Sequence, residues 1–146
     1  MEKIEIKLVN HSPYPSPSYE TEGSAGADIR ANLAEPLLIE VNGIVLIPTG
    51  LYLALPFGYE AQIRSRSGMT LKHGIVVANG VGTIDSDYRG EIKVVLHNIS
   101  QEDYRLQPGE RIAQMIISPC IHASFFLTDE LSSTDRGTGG FGHTGK

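Results

Sequence analysis

Apolar residues in this chain recur mostly at every second position rather than every third or fourth. Ile4, Ile6 and Leu8 alternate with Glu5 and Lys7, which predicts a strand with one buried face. Similar short runs lie at residues 37–39, 44–47, 51–55, 60–64, 91–96 and 111–117. Turn signals separate them: Asn42-Gly43, Pro48 to Gly50, Pro56 to Gly58, Asn79-Gly80 and Pro108-Gly109. Many short strands at fairly even spacing predict an all-β sandwich, barrel or jelly roll. Helical periodicity is weak, and only the stretch from Gly68 to Lys72, ahead of Gly74, predicts a short helix. Pro13 to Pro17 reads as an extended loop. From Arg136 onward the chain is mostly glycine and threonine around one aromatic, Phe141, which predicts a flexible tail. The expected organisation is one domain over residues 1–127 and a tail over 128–146.

With 146 residues, 40% apolar and 20% charged, the chain is long enough for one hydrophobic core and has ordinary globular composition. A net charge of −5 without a basic run argues against nucleic-acid binding, although a single nucleotide needs only a few local cations. No stretch of apolar residues is long enough to span a membrane, and Met1 to Ile4 does not begin a signal peptide. The single cysteine, Cys120, fits a reducing compartment, so a cytoplasmic location is expected. The five histidines lack zinc-ligand spacing, and no Gly-x-Ser-x-Gly elbow is present.

Five segments carry candidate chemistry. In Ala25-Gly26-Ala27-Asp28, a carboxylate among small residues can hold a water on Mg²⁺, or merely satisfy a turn. Arg64-Ser65-Arg66-Ser67-Gly68 gathers guanidinium, hydroxyl and backbone N–H groups suited to an anion; it also reads as a strand end whose serine caps a helix. Asn79 offers the donor and acceptor that a nucleobase edge requires. It stands just ahead of Ile84-Asp85-Ser86-Asp87-Tyr88-Arg89-Gly90, where Asp85, beside Ile84, can serve as a general base; a polar turn is the plainer alternative. Gln114 is expected to share a face with Ile112 and Ile116, where it orients a water or phosphate oxygen or makes a structural hydrogen bond. The tail with Arg136, Phe141 and Gly142 suits a lid rather than a P-loop, because no Gly-Lys-Ser/Thr ending follows a strand.

Taken together and in this order, the five segments resemble the five motifs of trimeric dUTPases over about residues 24–145. The resemblance implies a β jelly roll or distorted barrel, assembled as a homotrimer with shared active sites. It also implies Mg²⁺-assisted hydrolysis of dUTP to dUMP and pyrophosphate, which limits uracil in DNA and supplies dUMP for dTMP synthesis. Asp85 would activate the water and Gln114 would sit beside it near the α-phosphate. Arg66, Ser67 and Gly68 would grip the triphosphate, with Arg136 reaching its far end. Asn79 would read uracil, Tyr88 would exclude a 2′-hydroxyl, and Phe141 with Gly142 would cover the base. Asp28 would contact Mg²⁺ through water. Two departures stand out: Gly80-Val81 replaces a frequent Ser-Pro pair, and His143 a frequent serine. The related dCTP deaminases place a catalytic glutamate where this chain has Val95. A non-catalytic nucleotide-binding module is the other alternative, and the intact motif set argues against it.

Overall fold

The computed structural model describes residues 3–142. Met1 and Glu2, the last four residues of the expected tail and the His143 departure therefore lie outside the described residues. The strands are β1 (Lys7–Asn10), β2 (Ala27–Arg30), β3 (Leu37–Ile39), β4 (Ile44–Ala54), β5 (Tyr59–Arg64), β6 (Ile75–Val77), β7 (Val81–Ile84), β8 (Ile92–Asn98), β9 (Tyr104–Leu106) and β10 (Arg111–Pro119). One helix, α1 (Ser67–His73), falls between β5 and β6. Two four-stranded antiparallel sheets form, ordered β1-β4-β8-β6 and β2-β10-β5-β7, with β3 and β9 as a separate ribbon. From β4 to β8, successive strands alternate between the two sheets, which is the connectivity of a jelly roll.

Alternation along each strand supplies the core. Ile47, Leu53, Ile75, Val94 and Leu96 from the first sheet meet Ile29, Ala61, Ile63, Ala113 and Met115 from the second in one buried cluster. Ile39 and Leu106 of the ribbon join it. Asn98 is wholly buried yet fully partnered: its amide donates to the carbonyls of Ile39 (3.0 Å) and Glu102 (2.7 Å), and its Oδ1 accepts from Ser100.

Several strand expectations change here, and β1 starts only at Lys7, past most of the run at residues 4–8. Pro48 to Gly50 is not a turn, because β4 runs on through it as one strand. The pairing with β8 shifts register between Pro48 and Leu51, and Gly50 takes φ +71°. A side chain there would strike the backbone nitrogen of Ser12, so the bulge requires glycine. Likewise, a bulge between Arg111 and Ala113 sends Ile112 into the core rather than to the face of Gln114.

The helix ends as its sequence predicts, with Gly74 left-handed at φ 64° and its N–H on the Thr70 carbonyl (2.9 Å). Its start does not: Arg66 is the capping position and no side chain caps it, so Ser67 is helical rather than a cap.

Candidate functional site

Sheet register assembles the first part of the site. Gln114 on β10 stands opposite Asp28 on β2 and opposite Arg64 on β5. Residues directly opposite in antiparallel strands share a face, so these three form a row across the sheet. The chain then leaves β5 and folds Arg66 back onto the row. Its Nε donates to Asp28 Oδ1 (2.8 Å), and its Nη1 donates to the Arg111 carbonyl (3.1 Å). Arg111 Nη1 bonds the other Asp28 oxygen (2.9 Å) and also Glu20 (3.0 Å). Asp28 is thus a half-buried carboxylate bridging two guanidinium groups.

Gln114 donates Nε2 to the Ser65 carbonyl (2.9 Å), joining β10 to the loop that carries Arg66. A methyl group on Gly26 would collide with the Gln114 amide, which gives one reason for the small residues around Asp28. Ser65 Oγ accepts the Val77 N–H (2.8 Å), which ties β6 to the same loop. From there the chain enters the Asn79-Gly80 turn. Gly80 has φ +74° and donates to the Val77 carbonyl (3.0 Å), leaving the Asn79 side chain exposed.

The Asp85 segment follows β7. The Tyr88 N–H returns to the Asp85 carbonyl (3.2 Å), and Arg89 Nη1 donates to the carbonyls of Ser86 (2.7 Å) and Tyr88 (2.9 Å). Arg89 therefore braces its own loop. Tyr88 donates its hydroxyl to the Glu91 carbonyl (3.0 Å), with Gly90 directly beneath its ring. Asp85 is exposed rather than held against apolar neighbours, and its carboxylate has no ion pair among the described residues.

Asp28, Arg66 and Gln114 are thus drawn together, with Ser67 and Gly68 opening α1 directly after Arg66. The tail residues are not drawn to them. Arg136 donates to the Gly139 carbonyl (2.8 Å) in its own segment, Phe141 is fully solvent-exposed, and Gly142 is exposed beside it. Three other cations have structural partners: Arg64 binds Gln62 (Nε, 3.1 Å), Lys93 approaches Glu91 (3.7 Å), and Arg111 anchors Asp28. The Arg111 and Glu20 contacts carry no local sequence signal, since their partners are remote along the chain. Val95 lies on β8 opposite Leu46. Among the described residues, no group of three His, Cys, Asp or Glu side chains is arranged to hold a metal ion.

A family model described as dUTPase matches residues 12–145. A deoxyuridine 5′-triphosphate nucleotidohydrolase of Fusobacterium nucleatum is 49% identical over 146 residues, covering 100% of both chains. Its counterpart in Roseobacter denitrificans is 54% identical over 132 residues, covering 90% of this chain and 87% of that one. The solved structure of Staphylococcus bacteriophage 80alpha dUTPase with dUpNHpp aligns with a TM-score of 0.87 at 25% identity, covering 99% of this chain and 100% of that one.

Proposed function

Since the chain belongs to the dUTPase family, we propose that it hydrolyses dUTP to dUMP and pyrophosphate at the end of the β2-β10-β5-β7 sheet, with Asp85 as general base. The support for this placement is that the Asp28, Arg66 and Gln114 motifs converge there through register and direct bonds. Arg66 is oriented in advance by Asp28 and the Arg111 carbonyl, so little ordering remains when it meets a triphosphate. Ser67 and Gly68 complete that grip. Gln114, fixed through Nε2, keeps its carbonyl oxygen for the attacking water. Asp85, without an ion-pair partner among the described residues, is free to take the proton of that water. Asn79 reads uracil, and the Tyr88 ring closes the space that a 2′-hydroxyl would need.

Magnesium fits this site as a cation that arrives on the triphosphate and keeps most of its waters, since the described residues provide no protein cage. Both Asp28 oxygens already accept from arginines, and their remaining lone pairs suit a water-mediated contact better than direct ligation. When bound, the ion neutralises charge on the phosphate oxygens.

The working unit in this reading is a homotrimer. Ile121, Phe125, Phe126, Leu127 and Leu131 follow β10 with side chains at or near full exposure, which favours burial against another copy. A groove of about 790 Å³ lined by Ile4, Ile6, Tyr19, Tyr59, Ile116 and Ile117 offers a complementary apolar surface. Residues 128–146 serve as the tail that carries Arg136, Phe141 and Gly142 to a shared active site. No helix among the described residues is long and apolar enough to cross a membrane. A cytoplasmic setting agrees with the free thiol of Cys120.

The test is pyrophosphate release from dUTP, dCTP, dTTP and UTP, with Mg²⁺ and with EDTA. Fast Mg²⁺-dependent release from dUTP alone is expected, and Asp85→Asn should lower kcat by about 10²-fold or more while retaining binding. Ammonia release from dCTP, or near-normal turnover by Asp85→Asn, would refute the assignment.

A further inference from the structure

A second cluster of polar contacts lies behind the phosphate motif and is unused by the chemistry above. Tyr104 on β9 donates its hydroxyl to Glu110 Oε1, while Glu110 Oε2 accepts the Gln107 N–H (3.0 Å). The Glu110 carbonyl takes the Ala31 N–H (2.9 Å), so this residue is fixed at both side chain and backbone. The Tyr104 ring packs against the His73 ring with centroids 4.8 Å apart, and its hydroxyl lies 4.0 Å from Met69 Sδ. Met69 and His73 both belong to α1, and Met69 is its buried residue.

This cluster touches the site at two points. Glu110 directly precedes Arg111, whose carbonyl accepts from Arg66. Through Met69 and His73, Tyr104 also braces the helix that begins with Ser67 and Gly68. We propose that Tyr104 and Glu110 are positioning residues that set Arg66 and α1 at the spacing a triphosphate requires; the inference rests on the dUTPase reading of that site. Burial first, and then the hydrogen bond to Glu110 and its charge, push the Tyr104 phenol above its ordinary range, so the donor stays protonated at working pH.

Three variants grade the effect. Tyr104→Phe removes one of the two side-chain bonds, Glu110→Gln removes the charge from both, and Glu110→Ala removes both bonds. In the full-length protein, KM for dUTP and Kd for dUpNHpp are expected to rise about threefold to tenfold in the first two and further in the third. Turnover at saturation should change less than either. Wild-type turnover in the same assay tests the dUTPase reading by itself, since its loss cannot be caused by these variants. Should Tyr104→Phe fail to fold, Glu110→Gln gives the same reading with the carboxamide in place. A lowered melting temperature with unchanged KM and Kd would reduce the cluster to a structural role and overturn the proposal.

Discussion

Asp28→Asn removes the charge on which two guanidinium groups converge. The carboxamide keeps one oxygen acceptor but turns an N–H₂ toward the other arginine, so one charge-assisted bond becomes a clash of donors. Fully exposed pairs are worth about 0.2–1 kcal/mol, whereas breaking a buried pair costs about 3–5 kcal/mol. Asp28 is 17% exposed and Arg66 25%, but Arg111 is 39% exposed and its contact is well screened. The Arg66 side therefore dominates, and a loss of about 2 kcal/mol is expected, within the range for bonds to charged groups. Arg66 also loses its aim, which should raise KM for dUTP by about tenfold if most of that energy was spent on preorganisation. Urea unfolding at fixed protein concentration reads the first quantity and steady-state kinetics the second. A double-mutant cycle with Arg66→Ala isolates the pair. A variant within about 0.5 kcal/mol of the wild type, with unchanged KM, would refute the reasoning, because surface substitutions of no consequence fall in that band.

Asn98→Ala should strip the amide donor from the buried Ile39 carbonyl and the acceptor from the Ser100 N–H, and lower stability by about 3 kcal/mol, read from the urea midpoint. Gly90→Ala should push the Tyr88 ring, whose Cζ would lie 2.6 Å from the new methyl. The ratio of kcat/KM for dUTP over UTP should then fall about tenfold, and an unchanged ratio would remove Tyr88 from sugar selection. The raised Tyr104 pKa predicts an alkaline effect. Its stabilising contribution is complete below the ordinary phenol value of 10.0 and is lost as pH rises above it, because the unfolded chain releases its proton first. Urea midpoints for wild type and Tyr104→Phe should therefore lie closer together at high pH than at neutral pH.

The longer strands were legible because their alternation survives in the structure: β5, β8 and β10 begin within a residue of the positions that the apolar pattern predicts. Strands β2, β6, β7 and β9, of three or four residues each, were not, although β3 of the same length was. The Pro48–Gly50 segment carried turn residues for a different reason, a bulge within one long strand. At the site, motif residues could be named from the sequence, but not the bonds that orient them. The Arg111–Asp28 pair spans residues far apart in the chain, and only sheet register brings them together. The same limit hid Tyr104, which reads in sequence as one aromatic among charged neighbours.

Strand β10 is the last of the fold in sequence, yet it occupies an interior place between β2 and β5. Chains emerge from the ribosome N-terminus first, at about 5–20 residues per second. Until residues 111–119 are released, β2 and β5 each present an open edge toward the missing strand, and Asp28 has no Arg111. A chain interrupted upstream of Arg111 consequently has neither a closed sheet nor an ordered arginine pair. The strand that closes the sheet is also the one that brings Gln114 and the Arg111 anchor beside Asp28, so a chain ending before it lacks both and exposes unpaired strand edges.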